Sequence, residues 1–251
     1  MLKRALLFAA LLAMPLAVQA APADVAAAVS APGRPADAIA LDASRRPAEI
    51  LAYMGLERGD RALDLFTGTG YYAEIMGRAV GPTGSVFAWE PSNFLNDRSR
   101  QAIRELRQRQ PNVAVVAMPA NAVTLPAGAF DFIMLHLNYH DAYWESTRFN
   151  FPRMDPDAFL RTVFQSLKPG GTIAVIDHVA NPGGDTRAVV EALHRIDPAT
   201  IRADFARAGF VFDGESDLLR NPADDHTKLV FDPAIRGQTD RVAYRFRRPS
   251  R

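Results

Sequence analysis

One stretch constrains the fold of this chain more than any other: Arg61-Ala-Leu-Asp-Leu-Phe-Thr-Gly-Thr-Gly-Tyr-Tyr-Ala-Glu-Ile75. It opens as a short apolar strand over 62–66, turns through Thr67-Gly-Thr-Gly70, and continues with helical character over 71–80. Strand, glycine turn and helix begin a nucleotide-binding βαβ unit. The glycines let the chain reverse tightly and let a ligand approach the backbone where a Cβ would stand in its way. A second apolar strand, 85–89, ends at Glu90. An acid roughly 20 residues beyond such glycines can accept hydrogen bonds from both hydroxyls of a ribose. Glycine turn, helix N-terminus and Glu90 therefore converge on a nucleoside-sized crevice.

The rest of the chain repeats this alternation. Pro47 begins a helix, capped by Ser44, that stops at Gly55, and a polar, arginine-rich helix spans 93–109. Apolar strands follow at 113–118 and 130–137. Asp155 caps a helix that ends before Lys168-Pro-Gly-Gly171, which reads as a tight stop ahead of a fifth strand at 172–176. Helical segments at 185–196 and from Pro198 to Gly209 precede two closing strands, 210–212 and 242–246, with a long polar segment between them. Five alternating units imply an α/β protein with a doubly wound, mostly parallel sheet covered on both faces. The last two strands, without a helix between them, suit an antiparallel edge.

The N-terminus sets the expected compartment. Lys3 and Arg4 precede an apolar run, Ala5 to Val18, and Val18-Gln-Ala20 is a small-x-small cleavage site, so residues 1–20 read as a secretory signal. The run is shorter than the roughly 20 apolar residues of a membrane span and contains Pro15. Residues 21–43, rich in Ala, Pro and Asp, read as a linker or N-terminal arm, leaving 44–251 as the domain. The net charge of +1 becomes −1 once Lys3 and Arg4 are removed, because 27 basic residues then face 28 acidic ones. Neither value gives an electrostatic reason to expect nucleic acid, and the arginines of 93–109 read as a solvated face. With no cysteine, disulfides, thiolate metal sites and cysteine nucleophiles are excluded.

Asp64 lies inside the first strand, where a buried acid needs a partner. At this point the sequence resembles the class I S-adenosylmethionine-dependent methyltransferases, over about 45–247. Asp64-Leu-Phe-Thr-Gly-Thr-Gly70 is similar to the Asp-x-Gly-x-Gly-x-Gly turn of that family, with Phe66 in place of the first glycine. Glu90 matches its ribose-binding acid. Leu167-Lys-Pro-Gly-Gly171 and Ala208-Gly-Phe210 match phrases frequent before its fifth and sixth strands. The resemblance implies a Rossmann-like sheet of seven strands, S-adenosylmethionine as cofactor, and contacts to it from Asp64, Thr67, Gly68, Gly70 and Glu90. Asn121 stands where the family often has an acid near the adenine. A dinucleotide-dependent oxidoreductase would explain Glu90 and the glycines, but not Asp64 or the closing strand pair. A non-catalytic exported binding protein that keeps the fold is the other alternative.

Chemistry is expected where the fourth strand ends, at Asn138-Tyr-His-Asp141. This tetrad lacks the Pro-Pro-aromatic pattern of the family's amino-group enzymes and so favours another small-molecule acceptor. His140, oriented by Asp141 and flanked by Tyr139, is the candidate general base for a hydroxyl or acidic carbon. Tyr139, Tyr143, Trp144, Phe149 and Phe151 would line an apolar pocket or pack beneath a lid. A magnesium site from Asp141, Asp177 and Asn181 would leave His140 and His178 without a role, so no metal is expected. His194 offers a second imidazole at a helix junction, beside Asp197 as the cap of the next helix. The signal reading has a direct check: mass spectrometry of the exported chain should find Ala21 at its N-terminus, and an intact Met1 in a soluble cytoplasmic pool would contradict it.

Overall fold

The computed structural model describes residues 21–250, so the expected signal segment lies outside the described residues. Seven strands form one sheet: β1 (Arg61–Leu65), β2 (Ser85–Pro91), β3 (Val113–Met118), β4 (Phe130–His136), β5 (Leu167–His178), β6 (Val211–Glu215) and β7 (Arg241–Arg247). Their order is β3-β2-β1-β4-β5-β7-β6. The first five are parallel, and β7 runs antiparallel between β5 and β6. The direction of the order reverses between β1 and β4, the switch point at which open α/β sheets bind ligands.

The helices are α1 (Val25–Ser30), α2 (Ala36–Ile39), α3 (Asp42–Arg45), α4 (Pro47–Met54), α5 (Tyr71–Val80), α6 (Asp97–Arg109), α7 (Pro156–Ser166), α8 (Thr186–Leu193) and α9 (Pro198–Ala208). Side-chain caps start several of them. Asp155, Asp185 and Asp197 accept from backbone N–H groups of the first turns of α7, α8 and α9, and Asn96 forms a capping box with Ser99 at α6. The expected cap at Ser44 is not used. Arg46, with φ of 46°, is the hinge between α3 and α4.

Strand residues alternate between two apolar layers, as their period of two demands. Leu63, Leu65, Ile133, Leu135, Ile173 and Val175 meet Phe159, Leu160 and Val163 of α7 and Ile201 and Phe205 of α9. Ala62, Phe132, Met134, Ala174 and Ile176 meet Ile50, Leu51 and Met54 of α4 and Ile75 and Met76 of α5. Each of the larger side chains contributes about 1.5–3 kcal/mol when fully buried. Continued to the strand ends, this second parity puts Asp64, Glu90, His136 and His178 on one face.

Two segments carry structure that the sequence reading left open or misread. Residues 21–43, read as a linker or N-terminal arm, hold short helices, and Val25 and Ala28 of α1 are buried in the layer that includes α5. Arg34 makes a bidentate ion pair with Asp42 at 2.7 and 2.8 Å, and Tyr71 of α5 donates to the same carboxylate at 2.7 Å. Lys168-Pro-Gly-Gly171 does not stop the chain but is part of β5, with a register shift opposite β4. Gly171 allows this, since a Cβ there would stand 2.9 Å from the Asp131 carbonyl oxygen.

The polar segment between β6 and β7 is pinned by Arg195, a fully buried guanidinium. It pairs with Asp224 at 2.8 and 3.0 Å and donates to the Lys228 and Val179 carbonyls. Removing one member of a buried pair leaves the other charge uncompensated, at a cost of about 3–5 kcal/mol. Arg195→Ala should lower stability in urea by that amount and raise amide exchange across 216–240, whereas an unchanged midpoint would show the pair to be dispensable.

Candidate active site

A cavity of about 750 Å³ opens beyond the carboxyl ends of β1, β2, β4 and β5, within the usual size range for ligand pockets. Its floor is the glycine turn. Asp64 accepts a hydrogen bond from the Thr67 hydroxyl at 2.6 Å, and Glu90 accepts one from the Gly68 N–H at 2.7 Å. Burial raises both carboxyls to about 7. Gly68 and Gly70 have φ of 60° and 90°, and a Cβ on Gly70 would lie 2.3 Å from Leu106. Phe66, standing where a glycine was expected, takes the left-handed conformation itself, at φ of 55°. Its strain is offset by a buried ring packed edge-on against Trp89 at 4.6 Å. Leu137 and His194, also at positive φ, line the same cavity; strained residues cluster at working sites.

The far end is built by β4, β5 and the junction between α8 and α9, where His194 ends α8. His140, in a short 3-10 turn after β4, is held by Asp177 of β5. The carboxylate accepts from the His140 backbone N–H at 2.8 Å and lies 2.7 Å from Nδ1 of its ring. The sequence expectation that Asp141 orients His140 is therefore corrected: Asp177 does, from 37 residues away. Burial acts to lower the His140 pKa, but the charges of Asp177 and Asp141 outweigh it and push it up to about 9. Two carboxylates beside the ring thus favour its protonated form. Burial lowers His194, and pushes His178 down to about 3.

The other expected residues divide. Asp64, Thr67, Gly68, Glu90, His140 and Asp141 line the cavity, and Gly70 lies just behind it at the start of α5. Tyr139 does not line it: it is fully buried, and its hydroxyl donates to Asp204 at 2.7 Å, as does that of Tyr143. Asn121 is exposed on a turn after β3 and lines a separate small cleft against α7. Asn181 bonds His226 and the Asp225 carbonyl, away from Asp141. Of the expected aromatics, Trp144 and Phe149 line the cavity, joined by Phe94 and by Val230 and Phe231 of the segment that Arg195 pins.

Among the lining residues without a role in the sequence reading, four polar ones stand out. The Arg45 side chain makes no ion pair or hydrogen bond among the described residues; its guanidinium lies over the Tyr71 ring at 4.4 Å, and burial lowers its pKa. Tyr72, Asn93 and His136 hold three of the four buried side-chain polar atoms left without a partner among the described residues: Tyr72 Oη, Asn93 Oδ1 and His136 Nε2. Buried polar atoms are nearly always satisfied, so orphans gathered around one cavity point to a polar ligand there. Only His136 had a readable signal, as a polar residue ending an apolar strand.

Residues 62–171 match the family described as methyltransferase domain. Among curated proteins, the chain is 32% identical over 123 residues to the ubiquinone/menaquinone biosynthesis C-methyltransferase UbiE of Serratia proteamaculans, covering 49% of this chain and 44% of that protein. It is 34% identical over 90 residues to the protein-L-isoaspartate O-methyltransferase of Ignicoccus hospitalis, covering 34% of this chain and 42% of that one. The chain spans less than half the length of these curated relatives. A solved S-adenosylmethionine-dependent methyltransferase of Aquifex aeolicus shares the fold, with a TM-score of 0.57 and 20% identity over 85% of this chain and 98% of that one. Its sheet order and glycine turn agree with that match: residues 62–171 carry a methyltransferase domain, and the chain has the fold of the S-adenosylmethionine-dependent methyltransferases.

The raised carboxyls carry a pH prediction. Glu90 holds its proton up to about 7 in the folded state but only to its ordinary value of 4.5 when unfolded. The folded state therefore binds more protons between those values, and this contribution to stability declines as pH rises through that window. The ligand-free wild type should lose thermal stability relative to Glu90→Gln between pH 4.5 and 7; parallel curves for the two proteins would contradict the assignment.

Proposed function

We propose that the chain binds S-adenosylmethionine across the ends of β1 and β2 and transfers its methyl group to a small-molecule acceptor held at the ends of β4 and β5. The observation that carries this reading is the pairing of Glu90 with the Gly68 N–H beside a cavity ringed by unpartnered polar atoms. Glu90 keeps one carboxylate oxygen free for ribose hydroxyls. The orphaned Asn93 Oδ1, rather than the distant Asn121, suits an amino group of the base. Arg45 suits the amino-acid carboxylate of the cofactor, and Asp64 its ammonium group.

When bound, S-adenosylmethionine supplies an electrophilic methyl carbon on a positively charged sulfur. The chain's own part is to align that carbon with a nucleophile and to exclude water. Trp144, Phe149, Val230 and Phe231 give the acceptor end an apolar wall, and His140, Asp141 and His194 give it a polar group near the acceptor's reactive atom. The relatives include one named as a C-methyltransferase and one as an O-methyltransferase, and the matched region 62–171 holds mainly the cofactor half. The acceptor is accordingly proposed only as a small molecule bearing a hydroxyl or acidic carbon. With its signal segment removed, the enzyme would act outside the cytoplasm.

Isothermal titration tests the cofactor. S-adenosylmethionine and S-adenosylhomocysteine should each bind with one site per chain and raise the melting temperature, whereas NAD should do neither. Glu90→Ala removes charge-assisted hydrogen bonds worth roughly 1.5–3 kcal/mol each and should weaken binding at least about tenfold with the fold intact. Stabilisation by NAD alone would favour an oxidoreductase instead.

A further inference from the structure

We propose that His140, Asp141 and His194 bind one divalent transition-metal ion of the zinc class at the acceptor end of the cavity. Three candidate ligand atoms face one another there. His140 Nε2 lies 3.4 Å from His194 Nδ1 and 3.5 Å from Asp141 Oδ1, and His194 Nδ1 lies 3.8 Å from the same oxygen. As hydrogen bonds these separations are poor, since an N–H donor and its acceptor normally sit about 2.9–3.0 Å apart. As ligand–ligand separations two of the three fit a metal directly. Tetrahedral zinc with bonds of about 2.0–2.1 Å holds its ligand atoms about 3.3–3.4 Å apart. The in-plane point equidistant from the three atoms lies about 2.1 Å from each, and closing the 3.8 Å edge by a few tenths of an ångström lets the ion rise out of that plane into a tetrahedral site.

The surroundings support the same role. A metal-bound imidazole usually donates its other N–H to a carboxylate, which fixes the ring, while the ion displaces the proton from the nitrogen that it binds. Asp177 serves His140 Nδ1 in this way at 2.7 Å, and its other oxygen fixes the His140 backbone. Asn138 donates to Asp141 Oδ2 at 2.9 Å, leaving Oδ1 toward the imidazoles. His194 is held by its backbone bond to Val190 and by Trp144 and Phe231, each with its ring centroid 5.1 Å away. Its left-handed backbone, at φ of 50°, turns the ring into the cavity. Two imidazoles and a carboxylate suit zinc, cobalt, nickel or iron better than magnesium or calcium, which prefer all-oxygen sites. All three residues line the cavity, so a fourth coordination position faces it. A hydroxyl or carbonyl oxygen of the acceptor could occupy that position. This use rests on the methyl-transfer reading; the metal binding itself does not.

The test is a titration of the chelator-treated chain with cobalt(II), then zinc, in the absence of any cofactor. Expected are one equivalent of cobalt, the visible absorption of a four-coordinate site, and its loss when zinc displaces the cobalt. His140→Ala would leave Asp177 buried without its partner and could fail to fold, so His194→Ala and Asp141→Asn carry the comparison. Both should weaken binding by roughly 100-fold or more, beyond the 10–100-fold typical of losing a supporting partner. His226→Ala, which alters the histidine outside the cavity, and Glu90→Ala should bind cobalt as the wild type does. Substoichiometric uptake, or unchanged affinity in His194→Ala, would overturn the proposal. Because Glu90→Ala impairs only the cofactor end, failure of metal binding is distinguishable from failure of the methyl-transfer reading.

Discussion

Burying ionisable groups at the carboxyl ends of four parallel strands is the constraint on which the rest of this structure depends. Asp64, Glu90, His136 and the Asp177–His178 pair lie at or beside the carboxyl ends of strands whose central residues are mostly apolar and buried. A carboxylate or imidazolium buried without compensation costs several kcal/mol, so each must be bonded, neutralised or matched by a ligand. Here the solutions differ by position. Asp177 is satisfied by two backbone N–H groups and by the His140 ring. Asp64 and Glu90 each have one local donor and keep a proton up to about 7. His136 has a nitrogen with no partner among the described residues. The glycine turn, the α3–α4 hinge that brings in Arg45 and the pinned 216–240 segment are all arranged around these groups.

This arrangement separates the cavity into two chemistries. At β1 and β2 a ligand meets carboxylates, Arg45 and backbone, which suit the polar extremities of a nucleoside bearing an amino acid. At β4 and β5 it meets two imidazoles and a carboxylate beneath an aromatic wall. The family match falls mainly on the first of these and the distinctive residues on the second. That division is why the cofactor follows from the fold while the acceptor does not.

Much of the fold was legible because its signals are local. The apolar runs of β1 to β4, the capping residues Asp155 and Asp197 and the stop at Gly209 need only neighbouring residues to be read. The parity of strand residues even foreshadows that Asp64, Glu90 and His136 share a face. What stayed hidden depends on distant partners. The three short helices of 21–45 are held by α5 and by the Arg34–Asp42–Tyr71 contacts, not by any period of their own. His140 was recognisable as a site residue, but its partner Asp177 is a strand away, and the adjacent Asp141 was the obvious wrong choice. Tyr139, next to His140 in sequence, turns into the core toward Asp204. Arg45 looked like one of many solvated arginines, and nothing local distinguishes it.

The central claim is that Glu90 is kept buried and partly protonated for the ribose of the cofactor, and proton linkage tests it most directly. S-adenosylhomocysteine binding can be measured by calorimetry near pH 6.5 in buffers of differing ionisation enthalpy. If Glu90 must ionise to accept the ribose hydroxyls and Asp64 to receive the ammonium group, binding should release protons from both, and Glu90→Gln should remove the share that Glu90 releases. Tight binding with no proton exchange in the wild type would contradict the account.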